Sequence, residues 1–149
     1  MNSRFTMAAH ILAMLAKCSG DAAGPLTSEA MARSIQTNPV VVRRLLGDLA
    51  RAGLVETKRG ARGGVTLARR PEDITLRDIY ESVEEGAELF GRHPVGPAPD
   101  CAIGPCVAEY LEGVFGRAEA ALKQSLEGTT VAQMSQDLTA RFRALNPTG

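Results

Sequence analysis

Arg43 and Arg44 stand side by side near the start of a segment, Asn38 to Gly64, whose far end carries Lys58, Arg59 and Arg62 interleaved with Gly60, Gly63 and Gly64. Guanidinium groups on an exposed helix can reach base edges in a DNA major groove, and cations on a turn can meet phosphates. Glycines at 60, 63 and 64 let such a turn lie close to a sugar-phosphate backbone. These residue types therefore suit recognition of a polyanionic duplex. A solvated arginine face followed by an ordinary hairpin would share much of this local pattern. The surrounding elements have to decide between the two.

Asn38 is a good N-cap, and Pro39 fits the first helical position, where its missing N–H costs nothing. The spacing predicts a helix over 38–52. Val42, Leu45 and Leu49 recur at i, i+3 and i+7 with Leu46 beside them, so one side faces a core while Val40, Arg43, Arg44 and Gly47 face away. Gly53 ends this helix, and strands over 54–58 and 65–68 flank a wing turn at 59–64. Upstream, Leu26 to Ala32 reads as a capped short helix over 27–34, and Ser34 to Thr37 is the turn a helix-turn-helix needs before its second helix. A first helix over 3–17 places Phe5, Ala8, Leu12 and Leu15 on one buried face.

Beyond residue 70, Thr75 caps a helix over 75–85 in which Leu76, Ile79 and Val83 repeat at helical spacing. After a loop come a long helix over 105–127 and a last helix over 130–145. The long helix carries Val107, Leu111, Val114, Ala118 and Ala121 on one stripe, with Phe115, Leu122 and Leu126 beside it. That is more apolar surface than a small winged domain covers, and it predicts a homodimer seam; the alternative is packing against the first and last helices of the same chain. The expected architecture is mainly α with a small β-wing: a winged helix-turn-helix domain over 1–70, then a sensor loop and helical dimerisation region over 71–149. No internal repeat is present.

The chain has 149 residues, of which 44% are hydrophobic, enough for a real core. Its zero net charge conceals a division: residues 1–70 carry 11 Lys and Arg against 4 Asp and Glu, whereas residues 71–149 carry 6 against 13. Such polarity directs DNA to the N-terminal half. Three cysteines, at 18, 101 and 106, are too few for a secreted disulfide scaffold and point to the cytoplasm. The apolar run from Phe5 to Ala16 ahead of Lys17 and Cys18 imitates a lipoprotein signal. Lysine is a poor fit just before such a cysteine, His10 interrupts the run, and no stretch is long enough to span a membrane. Enzyme chemistry has little to work with: GxSxG, Walker and HExxH motifs are lacking, and Glu84-Glu85 reads as a solvated helix end rather than an acid/base dyad. No enzymatic activity is expected. The second functional reading is an interaction module whose winged domain docks an acidic protein partner.

Taken together, the chain resembles the Rrf-two family of bacterial winged-helix regulators. The resemblance rests on the apolar first helix, the helix end Leu49-Ala50-Arg51-Ala52-Gly53-Leu54-Val55, and the wing Arg59-Gly60-Ala61-Arg62-Gly63-Gly64, which is similar to the family's RGxxGG element. Thr75 to Val83 resembles its fourth helix, and the order of elements covers nearly the whole chain. The resemblance implies a dimeric repressor that binds double-stranded DNA. Carried over by position, the groove-facing residues are Asn38, Val40, Val41, Arg43 and Arg44, with Arg59 and Arg62 on the wing. Ser28 and Lys58 complete the candidate DNA-binding set.

The sensor region departs from the family pattern. Members that bind an iron–sulphur cluster carry three cysteines in the loop before the long helix, whereas this loop and the residues just beyond it offer only Cys101 and Cys106, with His93 eight residues before Cys101. Histidine can replace thiolate at iron, so a Cys101, Cys106 and His93 ligand set is conceivable. The segment Pro99 to Gly104 looks more like members without a cluster. Three readings stand side by side: no cofactor with a thiol switch at Cys101 and Cys106, an iron–sulphur cluster, or structural cysteines. The signal would be an oxidant or a small molecule.

Overall fold

Helix α1 (Arg4–Cys18) is sealed on one side because Ala8, Ile11, Leu12 and Leu15 recur at helical spacing and are all buried. In the computed structural model, which describes residues 3–19, 25–84, 86, 88–91 and 94–147, this helix forms one wall of a single hydrophobic core. Helix α2 (Ser28–Ile35) starts at Thr27, whose hydroxyl accepts the Ala30 N–H at 3.2 Å. It ends where Gln36 adopts a left-handed conformation, φ 58°. That geometry is uncommon for a side chain other than glycine, and here it turns the chain sharply. Helix α3 (Pro39–Arg51) follows at once, with the Asn38 amide oxygen accepting the Val40 N–H at 2.8 Å. The expected turn at Ser34–Thr37 lies about two residues later, because α2 runs on to Ile35.

Gly53, at φ 70°, ends the passage out of α3, and Leu54 N–H donates to Leu49 O at 2.9 Å. Strands β1 (Val55–Lys58) and β2 (Gly64–Leu67) then pair antiparallel, with Val55 opposite Leu67 and Lys58 opposite Gly64. The ribbon is not isolated: Val65 N–H donates to Leu26 O at 2.8 Å, so the lead-in to α2 forms a third, one-bridge edge. Burial of Leu54, Val55 and Val65 fixes the ribbon to the core.

After a 3₁₀ turn at Pro71–Asp73, which the sequence reading lacks, Ile74 is fully buried and helix α4 (Leu76–Val83) begins on a capping box between Thr75 and Asp78. The long helix α5 (Gly104–Glu127) packs on α4, with Arg77 on α4 pairing with Glu127 at 3.0 Å. Helix α6 (Val131–Leu145) returns to α1. Leu76 N–H donates to Thr129 O at 2.9 Å and Val131 N–H to Ile74 O at 2.8 Å, so the starts of α4 and α6 are stitched together.

Ile74, Ile79, Val83 and Val131 share one core cluster with Leu12, Leu45 and Leu49. Residue 70 is therefore no boundary of the packing. The expected regions 1–70 and 71–149 share one core. Within one chain α5 has no buried residue, because α6 occupies the place on α1. Among the described residues no helix is long and apolar enough to cross a membrane.

A shared core predicts shared cooperativity. Ile79→Ala should lower stability by roughly 2–5 kcal/mol, the usual cost of emptying a buried branched position. Thermal unfolding followed by circular dichroism should remain a single transition at lower temperature. A separate early transition, with the winged domain unchanged, would contradict the common core.

Candidate nucleic-acid interface

The orientation of α3 follows from its sealed side. Val42, Leu45, Leu46 and Leu49 are buried, so Val40, Arg43 and Arg44 emerge opposite them; Val40 is 48% exposed. Val41 departs from the groove-facing set: it is half-buried and packs against the core, since a position one residue before Val42 lies on the flank of the stripe. Asn38 is exposed, but its amide oxygen already holds the Val40 N–H. It fixes where α3 starts.

Asp48 is also on α3, where a carboxylate near the DNA would repel phosphates. It is held by Arg4 of α1 and by Arg51, and the Arg4 Nε also donates to Val83 O at 3.0 Å. These contacts anchor the helix to α1 and α4 and neutralise the charge. Arg69 and Arg70 are engaged as well, Arg70 with Asp73 at 2.8 Å and Arg69 near Asp78 at 4.0 Å. The cationic surplus of residues 1–70 is thus partly cancelled by acids from beyond residue 70. Six cations of this half are exposed and enter no ion pair among the described residues: Arg44, Lys58, Arg59 and Arg62 on α3 and the wing, with Lys17 at the end of α1 and Arg33 on α2.

The wing glycines have a different first duty from close approach to DNA. A Cβ on Gly63 would lie 2.3 Å from Lys58 O and 2.8 Å from Gly60 O, and one on Gly64 would lie 2.9 Å from Leu26 O. Those neighbours are backbone atoms, which cannot swing aside. Gly63 and Gly64 are required by the turn and by its contact with the lead-in to α2, while Gly60, at φ 112°, supplies the reversal itself and has open space around it.

Between α2, α3 and the ribbon lies a cleft of about 440 Å³, lined among others by Ser28, Glu29, Arg43, Gly47, Thr57 and Gly64. Glu29, absent from the sequence-derived set, pairs with Arg43 at 2.5 Å and accepts the Ser28 hydroxyl at 3.1 Å. Hydrogen bonding to the backbone at its own position, then the Arg43 guanidinium and Ser28, hold its carboxyl below the ordinary range. A depressed carboxyl favours the ion pair above that range, and the pair is lost as pH falls through the lowered value. The signal for Glu29 was its place in the first turn of α2, where acids suit the helix dipole; its partner 14 residues on was not legible.

In the loop expected to act as sensor and just beyond it, Cys101 is half-buried and Cys106 is exposed in the first turn of α5, and both are free thiols. Pro97 and Cys101 crowd Gly104: a Cβ there would lie 2.3 Å from Pro97 Cβ and 3.3 Å from Cys101 Sγ. Phe90 of the loop stacks on Phe115 of α5 with ring centroids 4.4 Å apart. His93 lies outside the described residues, and among those described no three His, Cys, Asp or Glu side chains converge as a metal site. Two thiols at this junction do not by themselves supply the ligand number an iron–sulphur cluster takes.

The same order of elements recurs in known proteins. The family model described as Rrf2, iron-dependent transcriptional regulator, matches residues 1–137. The HTH-type transcriptional regulator YwnA of Bacillus subtilis is 31% identical over 138 residues, 93% of this chain and 98% of its own length. Among solved structures, IscR of T. potens superposes with a TM-score of 0.69 at 25% identity, covering 93% of this chain and 87% of that one. CymR, the global cysteine regulator of B. subtilis, gives 0.66 at 25% identity, covering 91% and 95%. With its capped recognition helix, glycine-built wing and long α5, the chain belongs to the Rrf2 (Rrf-two) family and is a winged helix-turn-helix transcriptional regulator.

Proposed function

We propose that the protein is a homodimeric repressor that acts in the cytoplasm and sets its two copies of α3 into successive major grooves of duplex DNA. The strongest support is the exposed face of α3, where Val40, Arg43 and Arg44 project opposite a fully buried stripe and beside the uncancelled cations of the wing. Arg43 and Arg44 are the base-reading candidates, and Lys58, Arg59 and Arg62 bind backbone phosphates. Ser28, at the start of α2, faces the same cleft. Family membership weighs against the reading in which the winged domain docks an acidic protein.

Arg44→Ala should weaken binding to the preferred duplex by roughly 1–3 kcal/mol and relax sequence choice. The double change Arg59→Ala with Arg62→Ala should weaken all duplexes alike and flatten the salt slope by roughly one unit per lost phosphate contact. Fluorescence anisotropy titrations at several salt concentrations measure both. A wing variant that changes the preferred sequence while keeping its salt slope would refute this assignment.

The partner for α5 is a second copy of the chain. Val107 and Leu111 are exposed, at 47% and 37%, and Val114 and Ala118 on the same stripe are only half-buried. A two-fold axis covers such a face with itself, and two-fold operators need two recognition helices. Leu111→Asp or Val114→Asp would bury an unpaired charge in that seam. Sedimentation should then show a folded monomer; an intact dimer in both variants would rule out this seam.

The signal enters at the start of α5. Cys106 sits in the helix's first turn, where the dipole favours a thiolate, and Cys101 lies against the crowded Gly104. With hydrogen peroxide as oxidant, each thiol can pass to a sulfenic acid, or a pair of thiols to a disulfide with loss of two electrons and two protons. Either change would alter the seating of the loop on α5. DNA affinity should shift on mild oxidation and recover with dithiothreitol, and the Cys101→Ser, Cys106→Ser variant should bind DNA without that response. A wild-type response in the double variant would transfer the sensor elsewhere.

A further inference from the structure

Glu29 places a negative charge in the middle of a surface that otherwise gathers arginines. It stands on the wall of the cleft between α2, α3 and the wing, so a duplex lying along α3 and touching the wing passes across it. Its carboxylate holds the Arg43 guanidinium, while Ser28 occupies its other oxygen. The Arg43 and Glu29 side chains are 57% and 54% exposed, so solvent screens the pair and DNA can break it.

The two kinds of DNA acceptor meet this pair differently. A phosphate drawn to Arg43 is also drawn toward the Glu29 carboxylate, and the two anions repel. A guanine edge offers O6 and N7 to a guanidinium fork and carries no net charge, so it meets no such repulsion. Removing the carboxylate would leave Arg43 one more free cation on the interface, indifferent to whether it meets phosphate or base. We infer that Glu29 is a positioning residue for sequence choice: it holds Arg43 across the helix-turn-helix and turns it away from phosphates toward neutral base edges. This rests on the proposed entry of α3 into the major groove. The depressed carboxyl of Glu29 keeps the charge in place under ordinary conditions.

The full-length protein is tested on two probes: the duplex that the wild type enriches from a random-sequence pool, and a scrambled duplex of the same composition. Glu29→Gln keeps the size of the side chain and leaves the Thr27 cap of α2 intact. It should tighten binding to the scrambled duplex by roughly three- to tenfold at low salt and steepen its salt slope by roughly one unit, as one added phosphate contact requires. Affinity for the enriched duplex should change less, so the ratio of the two affinities falls. Glu29→Asp, which keeps the charge, should hold most of the ratio. In an Arg43→Ala background, Glu29→Gln should leave the ratio where it is, a coupling that a merely structural role would not produce. An unchanged ratio in Glu29→Gln, or an equal fall with and without Arg43, overturns the inference while the regulator reading stands. A wild type that enriches no duplex overturns both.

Discussion

Everything on the DNA-facing side depends on the burial of one stripe of α3. Val42, Leu45, Leu46 and Leu49 lie in the core with α1 and α4, and that burial leaves the helix a single rotation about its axis. Rotation by one residue's arc would expose Leu45 or Leu49 and bury Arg44, a double penalty of lost apolar contact and a desolvated cation. The N-cap at Asn38 sets the axial position, and the Arg4, Asp48 and Arg51 contacts hold the opposite end. The arginines of α3 are presented by a rigid element, as precise recognition requires.

The wing depends on a second, smaller constraint. Its strands are short, and a two-stranded ribbon of this length is marginal alone. Burial of Val55 and Val65 and the hydrogen bond from Val65 to Leu26 supply what the ribbon lacks. Because Leu26 leads directly into α2, the cations of the wing are positioned relative to the helix-turn-helix by backbone contact. Glycine at 64 is what permits that contact, and glycine at 63 permits the turn before it.

The C-terminal region plays two parts that its place in the chain conceals. Ile74, Ile79 and Val131 complete the core of the winged fold, whereas α5 runs along its edge and buries none of its residues. Ion pairs from Arg77 to Glu127 and from Lys123 to Glu81 tie α5 to α4, and α4 rests against α3. Packing is therefore continuous from α5 through α4 to the recognition helix. The Phe90 and Phe115 stack covers part of α5 with the loop that precedes it.

The helices, the ribbon and the sealed faces were legible in the residues alone because they rest on local rules. Asn38 and Thr75 cap where the sequence places them, and apolar spacing names the buried sides of α1, α3 and α4. The exposed Arg44, Lys58, Arg59 and Arg62 followed from the same periodicity and turn chemistry. Other features needed the folded chain, since they join residues far apart in sequence. The Glu29 and Arg43 pair, the backbone crowding at Gly63 and Gly64, and the continuity of the core past residue 70 are of this kind. Val41 shows the limit on a smaller scale: periodicity separates faces, but whether a flank position is covered depends on what packs beside it. Charge counts mislead for the same reason, because Arg69 and Arg70 add to the basic half in sequence yet meet Asp78 and Asp73 in space. Local periodicity follows from backbone geometry, which each segment carries with it; the pairing of charges and the filling of gaps depend on distances that exist only once the elements have packed.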